Sequence, residues 1–254
     1  MKNIWTIAKN TLKLEIRDKI LYGIVVFAVL FVFFEIFLAN LVLKELPMVK
    51  SFGLTGIYFF NAIIALFLGT TSFFKDIDRK VVYFVLSKPV SRAQFLLGKF
   101  FGLCLVLVIT TLVLAVAYLG VVAYAGGGFD ALGLLAIAMQ FLEMALFIAF
   151  AIFVSTFSSS LLSIVYTSAV FFLGHIVSSL ISDAQFIKLS GIQYFLVEVL
   201  YYVFPNLEKF DIRNLAVHQV AMPFLSFAVA VAYAVAYIMF LLGVSVWIFN
   251  KKEI

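Results

Sequence analysis

Six long apolar runs decide what this chain can become: approximately Ile20–Leu43, Phe52–Phe74, Phe101–Tyr124, Ala131–Phe157, Leu161–Ile181 and Met222–Asn250. Each is long enough to carry a helix across about 30 Å of hydrocarbon, which takes roughly 20 residues. Inside a bilayer only helices and closed barrels satisfy every backbone polar group, and unbroken apolar runs suit helices. A water-soluble fold is excluded by what is left to cover such runs. Hydrophobic residues make up 65% of the chain and charged ones 12%, against about 45–50% and about 25% in soluble domains. The expectation is an all-α, polytopic membrane protein with six transmembrane helices, one transmembrane domain over residues 1–254.

The basic residues test that division. With the N-terminus inside, Lys2, Lys9, Lys13, Arg17 and Lys19, then Lys75, Arg79, Lys80, Lys88, Arg92 and Lys99, then Lys251 and Lys252 fall on the cytoplasmic side. Lys44, Lys50, Lys188, Lys209 and Arg213 fall outside, which accounts for all 18 Lys and Arg with none in mid-span. The positive-inside rule then places both termini in the cytoplasm and the protein in the cell inner membrane. No cleavable signal peptide is expected, because the first apolar run is long and lacks an A-x-A type site.

Three segments remain. Residues 1–19 read as an amphipathic interfacial helix, with Lys2, Lys9, Lys13 and Arg17 on one side and Ile4, Trp5, Ala8 and Leu12 on another. A basic flank that merely sets topology explains the same charges. Residues 75–99 form a cytoplasmic loop. Residues 182–221 lie outside, and within them Ile192–Phe204 is apolar but too short to span, so a re-entrant or interfacial helix stopped at Pro205-Asn206 is expected. Ala125-Gly126-Gly127-Gly128 and Ser158-Ser159-Ser160 read as turns.

Little in the chain suggests chemistry of its own. It has no G-x-x-x-x-G-K-[ST], G-x-S-x-G, H-E-x-x-H or C-x-x-C, so phosphate cradling, hydrolase, metalloprotease and redox signatures are missing. Cys104 is the single cysteine, and His175 and His218 are far apart in sequence, so no metal site is expected. Two acids fall inside spans as isolated charges, without a basic partner in mid-span. Glu35 sits near the outer end of its helix and is expected to reach the headgroups. Glu143, one turn after Gln140, reads either as a helix–helix hydrogen bond or as a functional group. Span 2 carries Asn61 and Gly69-Thr70-Thr71-Ser72. Span 5 carries Ser163, Thr167, Ser168, Gly174, His175, Ser178 and Ser179. These suit close helix packing, and equally a substrate path.

The most informative loop runs Asp76-Ile77-Asp78-Arg79-Lys80, then the short apolar stretch Val81–Leu86, then Ser87-Lys88-Pro89-Val90-Ser91-Arg92, ending on Gly98-Lys99. Ser91 is placed to cap the helix of span 3. Arg92 and Lys99 are expected to hold that helix at the cytoplasmic surface. The order of these features resembles the first cytoplasmic loop of the ABC-2 type permeases, the membrane subunits of ATP-binding-cassette transporters. The resemblance extends to the amphipathic N-terminal helix, six spans, the re-entrant outer segment and the basic tail. Phe204-Pro205-Asn206-Leu207-Glu208-Lys209-Phe210-Asp211 is similar to a segment of the permeases linked to multicopper-enzyme maturation and gliding. Many members carry Gly-Thr where this chain has Val81-Val82.

The resemblance implies a transport subunit, an exporter, that catalyses nothing itself and binds no cofactor, ATP-Mg being held by a partner. Two copies of a cytoplasmic ATPase would dock on a coupling helix containing Asp76, Asp78, Arg79, Lys80, Val81 and Phe84, with Lys88, Pro89 and Arg92 closing the loop. A second permease copy would complete a homodimer in the lipid, and a periplasmic accessory protein is among the partners allowed; nucleic acid is not. Asn61, Thr70, Thr167, Ser168 and Glu143 would line the translocation path. The alternative is a stand-alone ion-coupled secondary transporter or channel, which would carry intramembrane charge pairs or internal repeats.

Overall fold

A computed structural model describes residues 2–41, 45–78, 90–186 and 191–251, and its regular elements are all helical. In chain order they are α1 (Lys2–Ile16), α2 (Lys19–Leu41), α3 (Leu46–Asp78), α4 (Arg92–Tyr124), α5 (Ala131–Ser155), α6 (Ser160–Phe186) and α7 (Ile192–Val203). A 3-10 turn (Leu207–Phe210), α8 (Arg213–Val217) and α9 (Phe224–Lys251) follow. By length and apolarity α3, α4, α5 and α9 can each cross a bilayer, and the bent pair α1–α2 makes a fifth crossing if counted as one. The apolar helix within α6 is shorter, Ser160–Ile176. The chain is therefore a multi-pass membrane protein with four to five such spans among the described residues.

The helix ends follow local chemistry. Ser91 starts α4 with a full capping box, its hydroxyl accepting from the Gln94 N–H while the Gln94 side chain accepts from the Ser91 N–H. Asp130 caps α5 through the Gly133 N–H. Between them the chain turns at Gly126, whose φ of +84° suits a residue without Cβ. α7 stops at Phe204, which is extended as residues before proline tend to be.

α5 is the hub, with α3, α4, α6 and α9 packed around it. Its run of Ala136, Ala145, Ala149 and Ala151, all buried, gives neighbours room to approach. Gly69 of α3 shows how close they come: a Cβ there would lie 2.7 Å from the Ala151 Cβ. α1 packs lengthwise on α4, burying Ala8, Thr11 and Glu15. The core has two parts along the bundle. One, at the end where α1 docks, includes Leu68, Phe73, Phe95, Phe100, Ile152 and Phe249. The other, at the far end, includes Leu54, Tyr118, Met139, Leu207, Phe210 and Ala216, so the 3-10 turn and α8 are part of the far-end core.

Candidate functional site

At the α1 end, the helices α1, α3 and α4 meet in a buried polar knot. Lys99 of α4, 3% exposed, donates to Asp76 Oδ2 at 2.6 Å and to Ser72 Oγ at 2.8 Å. The Ser72 hydroxyl in turn donates to Glu15 Oε1 of α1 at 2.5 Å. Lys75 of α3 pairs with Asp18 beside the α1–α2 bend. The expectation that Lys99 rests at the surface is thus corrected: an ammonium this deep is tied to carboxylates rather than to headgroups, because a buried charge must be paired. Arg92 sits at the other end of the loop. Its guanidinium donates to the Phe249 carbonyl at 2.5 Å and lies 5.5 Å over that residue's ring, which satisfies the closing turn of α9.

The loop that these contacts bracket holds most of the expected coupling residues. Asp76 is in the knot and Asp78 ends α3. Arg79, Lys80, Val81, Phe84, Lys88 and Pro89 lie outside the described residues.

Glu143 is joined to residues that the sequence leaves apart. It is fully buried on α5 and accepts from the Tyr58 hydroxyl of α3 at 2.8 Å. His175 Nε2 of α6 lies 3.0 Å from the same Glu143 oxygen and 2.5 Å from the Tyr58 oxygen. His175 Nδ1 meets the Phe171 carbonyl at 2.8 Å. On the other side, the Arg213 guanidinium stacks 4.5 Å over the Tyr58 ring while gripping Asp211 at 2.8 and 2.6 Å. Glu143 is therefore not an isolated acid. Its basic partner lies 32 positions away on another helix, and no spacing rule could have paired them.

Of the other expected path residues, Asn61, Thr70 and Thr167 are fully buried inside the chain. Thr70 donates to the Leu66 carbonyl at 2.6 Å, while the Asn61 amide and the Thr167 hydroxyl have no partner among the described residues. Ser168 lines a groove of about 320 Å³ between α3 and α6, together with Tyr58, Leu66, Phe147 and Phe171. Glu35 does not reach outward. It is buried among Phe31, Gly53, Ile57 and Tyr118, since the glycines of α3 let α2 lie close.

A third cluster ties down the far end. Asp130 accepts from Tyr118 at 2.7 Å, from the Gly133 N–H at 3.2 Å and from Gln219 at 3.3 Å, and pairs with Lys50 at 3.2 Å. Burial works to raise its carboxyl pKa, but these donors together hold it below the ordinary value. Asp211 behaves alike, with Arg213 outweighing burial. A carboxyl held low stabilises the fold above the unfolded pKa, about 3.9, and that contribution is lost as pH falls through the lower folded value. Asp130→Asn is accordingly expected to lower the neutral-pH Tm of the detergent-solubilised protein while flattening its fall below about pH 4. Wild-type and variant curves that stay parallel would remove Asp130 from this role.

The protein-family comparison agrees with this architecture. A family model described as ABC-2 family transporter protein matches residues 5–254. No curated protein matches the chain.

Proposed function

Because the chain belongs to the ABC-2 transporter family, as a membrane component that implies a separate ATPase partner, we propose that it is the permease subunit of an exporter worked through its 79–89 loop. The observation that carries this is the buried knot. Asp76 and Lys99 flank the loop, and Ser72 and Glu15 extend the grip to α1, so a force on the loop reaches three helices at once. In this reading the chain crosses the cell inner membrane six times with both termini and the knot in the cytoplasm, and α7 is the re-entrant outer helix. Two chains and two ATPase copies form the working unit. The ATPases hold ATP-Mg, and the permease itself catalyses nothing. Asn61, Thr70 and Thr167 are hidden in this arrangement and become path-lining in another, beside Ser168, which already lines a groove. ATP binding can shift that equilibrium only through contacts that differ between the two arrangements.

The test is a pull-down of tagged protein from solubilised native membranes, with mass spectrometry of what accompanies it. A stoichiometric P-loop ATPase is expected. Charge reversal at Arg79 and Lys80 is expected to reduce its recovery several-fold while leaving membrane insertion intact. Unchanged recovery would count against the loop as the docking element.

One observation favours a second reading. A stand-alone ion-coupled carrier is expected to bury a charge pair in the membrane, and Glu143 with His175 is such a pair when the imidazole is protonated. Uptake driven by an ion gradient in proteoliposomes of the chain without an ATPase would select it.

A further inference from the structure

The three atoms Tyr58 Oη, Glu143 Oε1 and His175 Nε2 form a closed triangle with edges of 2.8, 2.5 and 3.0 Å. The hydrogens in it can be counted. His175 Nδ1 faces the Phe171 carbonyl, which can only accept, so Nδ1 carries a hydrogen. A neutral imidazole then leaves Nε2 bare. Tyr58 supplies the one hydrogen for three edges and can serve only one of its own two. With Glu143 ionised, two edges lack a hydrogen, and in either arrangement the His175–Glu143 edge sets an imidazole lone pair against a carboxylate lone pair, in a place where Glu143 has no access to solvent. One more proton, on Nε2 or on Oε1, puts a hydrogen between His175 and Glu143 and makes the cluster neutral overall.

The triangle is also where the α7–α8 segment seats. Arg213, held by Asp211, covers the Tyr58 ring. Next to His175, Gly174 leaves room for that segment's backbone: a Cβ there would lie 2.7 Å from the Pro205 carbonyl oxygen and 2.8 Å from Leu207. We propose that Tyr58, Glu143 and His175 form a proton-binding site, and that the α7–α8 segment seats fully only while the site holds its extra proton. Nothing in this depends on the ATPase or on the direction of transport.

The surroundings can be named. Tyr58 faces the site from α3, His175 from α6, and Asp211 and Arg213 from the segment itself. Glu208 and Lys209 of the 3-10 turn are exposed. α4 and α9, which also pack on α5, carry their cations Arg92, Lys99 and Lys251 at the opposite end, and otherwise titrate only through Tyr118, Tyr124, Tyr233, Tyr237 and Cys104. Since the proton-bound form favours seating, raising the pH through proton release unseats the segment.

The test uses the full chain in lipid nanodiscs. Hydrogen exchange of residues 205–217, corrected for its intrinsic pH dependence, is followed across the range in which carboxylates, imidazoles and phenols titrate. Wild type is expected to lose protection by up to about tenfold per pH unit over one transition, the limit for a one-proton linkage. Glu143→Gln keeps the shape of the side chain, replaces the titrating carboxyl with a neutral donor, and is expected to show no such transition. An equal transition in the variant, or none in wild type, overturns the proposal. Should Glu143→Gln not fold, nitrogen-15 spectra of wild type decide it, because the chain has only two histidines and the exposed His218 serves as reference. A His175 ring that titrates together with His218 while Glu143 stays ionised overturns the site. Separate proton loss at His175 or Glu143, concurrent with loss of protection, supports it.

Discussion

Lys99→Met is expected to destabilise the protein by about 3–5 kcal/mol, the cost typical of removing one partner from a buried ion pair. The substitution keeps the length and most of the volume of the side chain, so little of the effect comes from packing. What it leaves is worse than a gap. Lys99 is the ammonium that reaches both Asp76 and Ser72, and Ser72 in turn donates to Glu15. Without it two carboxylates share a dry pocket, and Glu15 Oε2 already has no partner there. The measurement is thermal unfolding in detergent, together with recovery from the membrane. Adding Asp76→Asn and Glu15→Gln to Lys99→Met is expected to restore much of the loss, since the orphaned charges go with the cation. A triple variant as unstable as the single one would mean that the lysine acts through its hydrocarbon stem. The same triple variant tests the coupling reading: it keeps the loop but breaks the ionic grip on α1, so it should recruit the ATPase while transporting poorly.

The second large effect is expected at Gly102. With Gly98, one turn away on the same face of α4, it forms the bed on which α1 lies. A Cβ at Gly102 would stand 2.5 Å from the Thr11 Cβ and 2.9 Å from the Ala8 carbonyl oxygen; at Gly98 it would stand 2.7 Å from the Ile7 side chain. The obstacle is partly backbone, so a rotamer change cannot relieve it. Gly102→Val is expected to push α1 off α4, with an overpacking cost of about 1–3 kcal/mol. Glu15 would also be drawn away from Ser72. Trypsin should then cut at Lys9 and Lys13 of α1 several-fold faster than in wild type. Gly120→Ala is the control. Nothing lies within 4 Å of a Cβ there, so helix propensity alone should make it neutral or slightly stabilising. If the two variants behave alike, the close contact of α1 with α4 is not what holds α1.

Both predictions rest on pairings that a linear reading passes over. Gly98 and Gly102 stand in the small-xxx-small spacing that lets helices touch, and that signal was available in the sequence. It carried no indication that the partner would be α1, an amphipathic segment whose basic face pointed to headgroups. Ser91 is the opposite case. Its capping role depends on residues three positions away, and it is found as expected. Asn61, Thr70 and Thr167 were recognisable as polar residues in apolar helices, but their depth inside the chain was not.

The sequence by itself determined the helical membrane architecture, most of the element boundaries and the family. These depend on hydrophobic length, charge placement and short-range chemistry, all of which are written along the chain. Only the tertiary structure decided that Lys99 is buried between Asp76 and Ser72, that Glu143 meets His175 and Tyr58, and that Arg213 returns to cover Tyr58. Those contacts depend on how helices rotate and slide against one another. In lipid the apolar faces are nearly equivalent partners, so close packing and the need to satisfy buried polar groups select the arrangement.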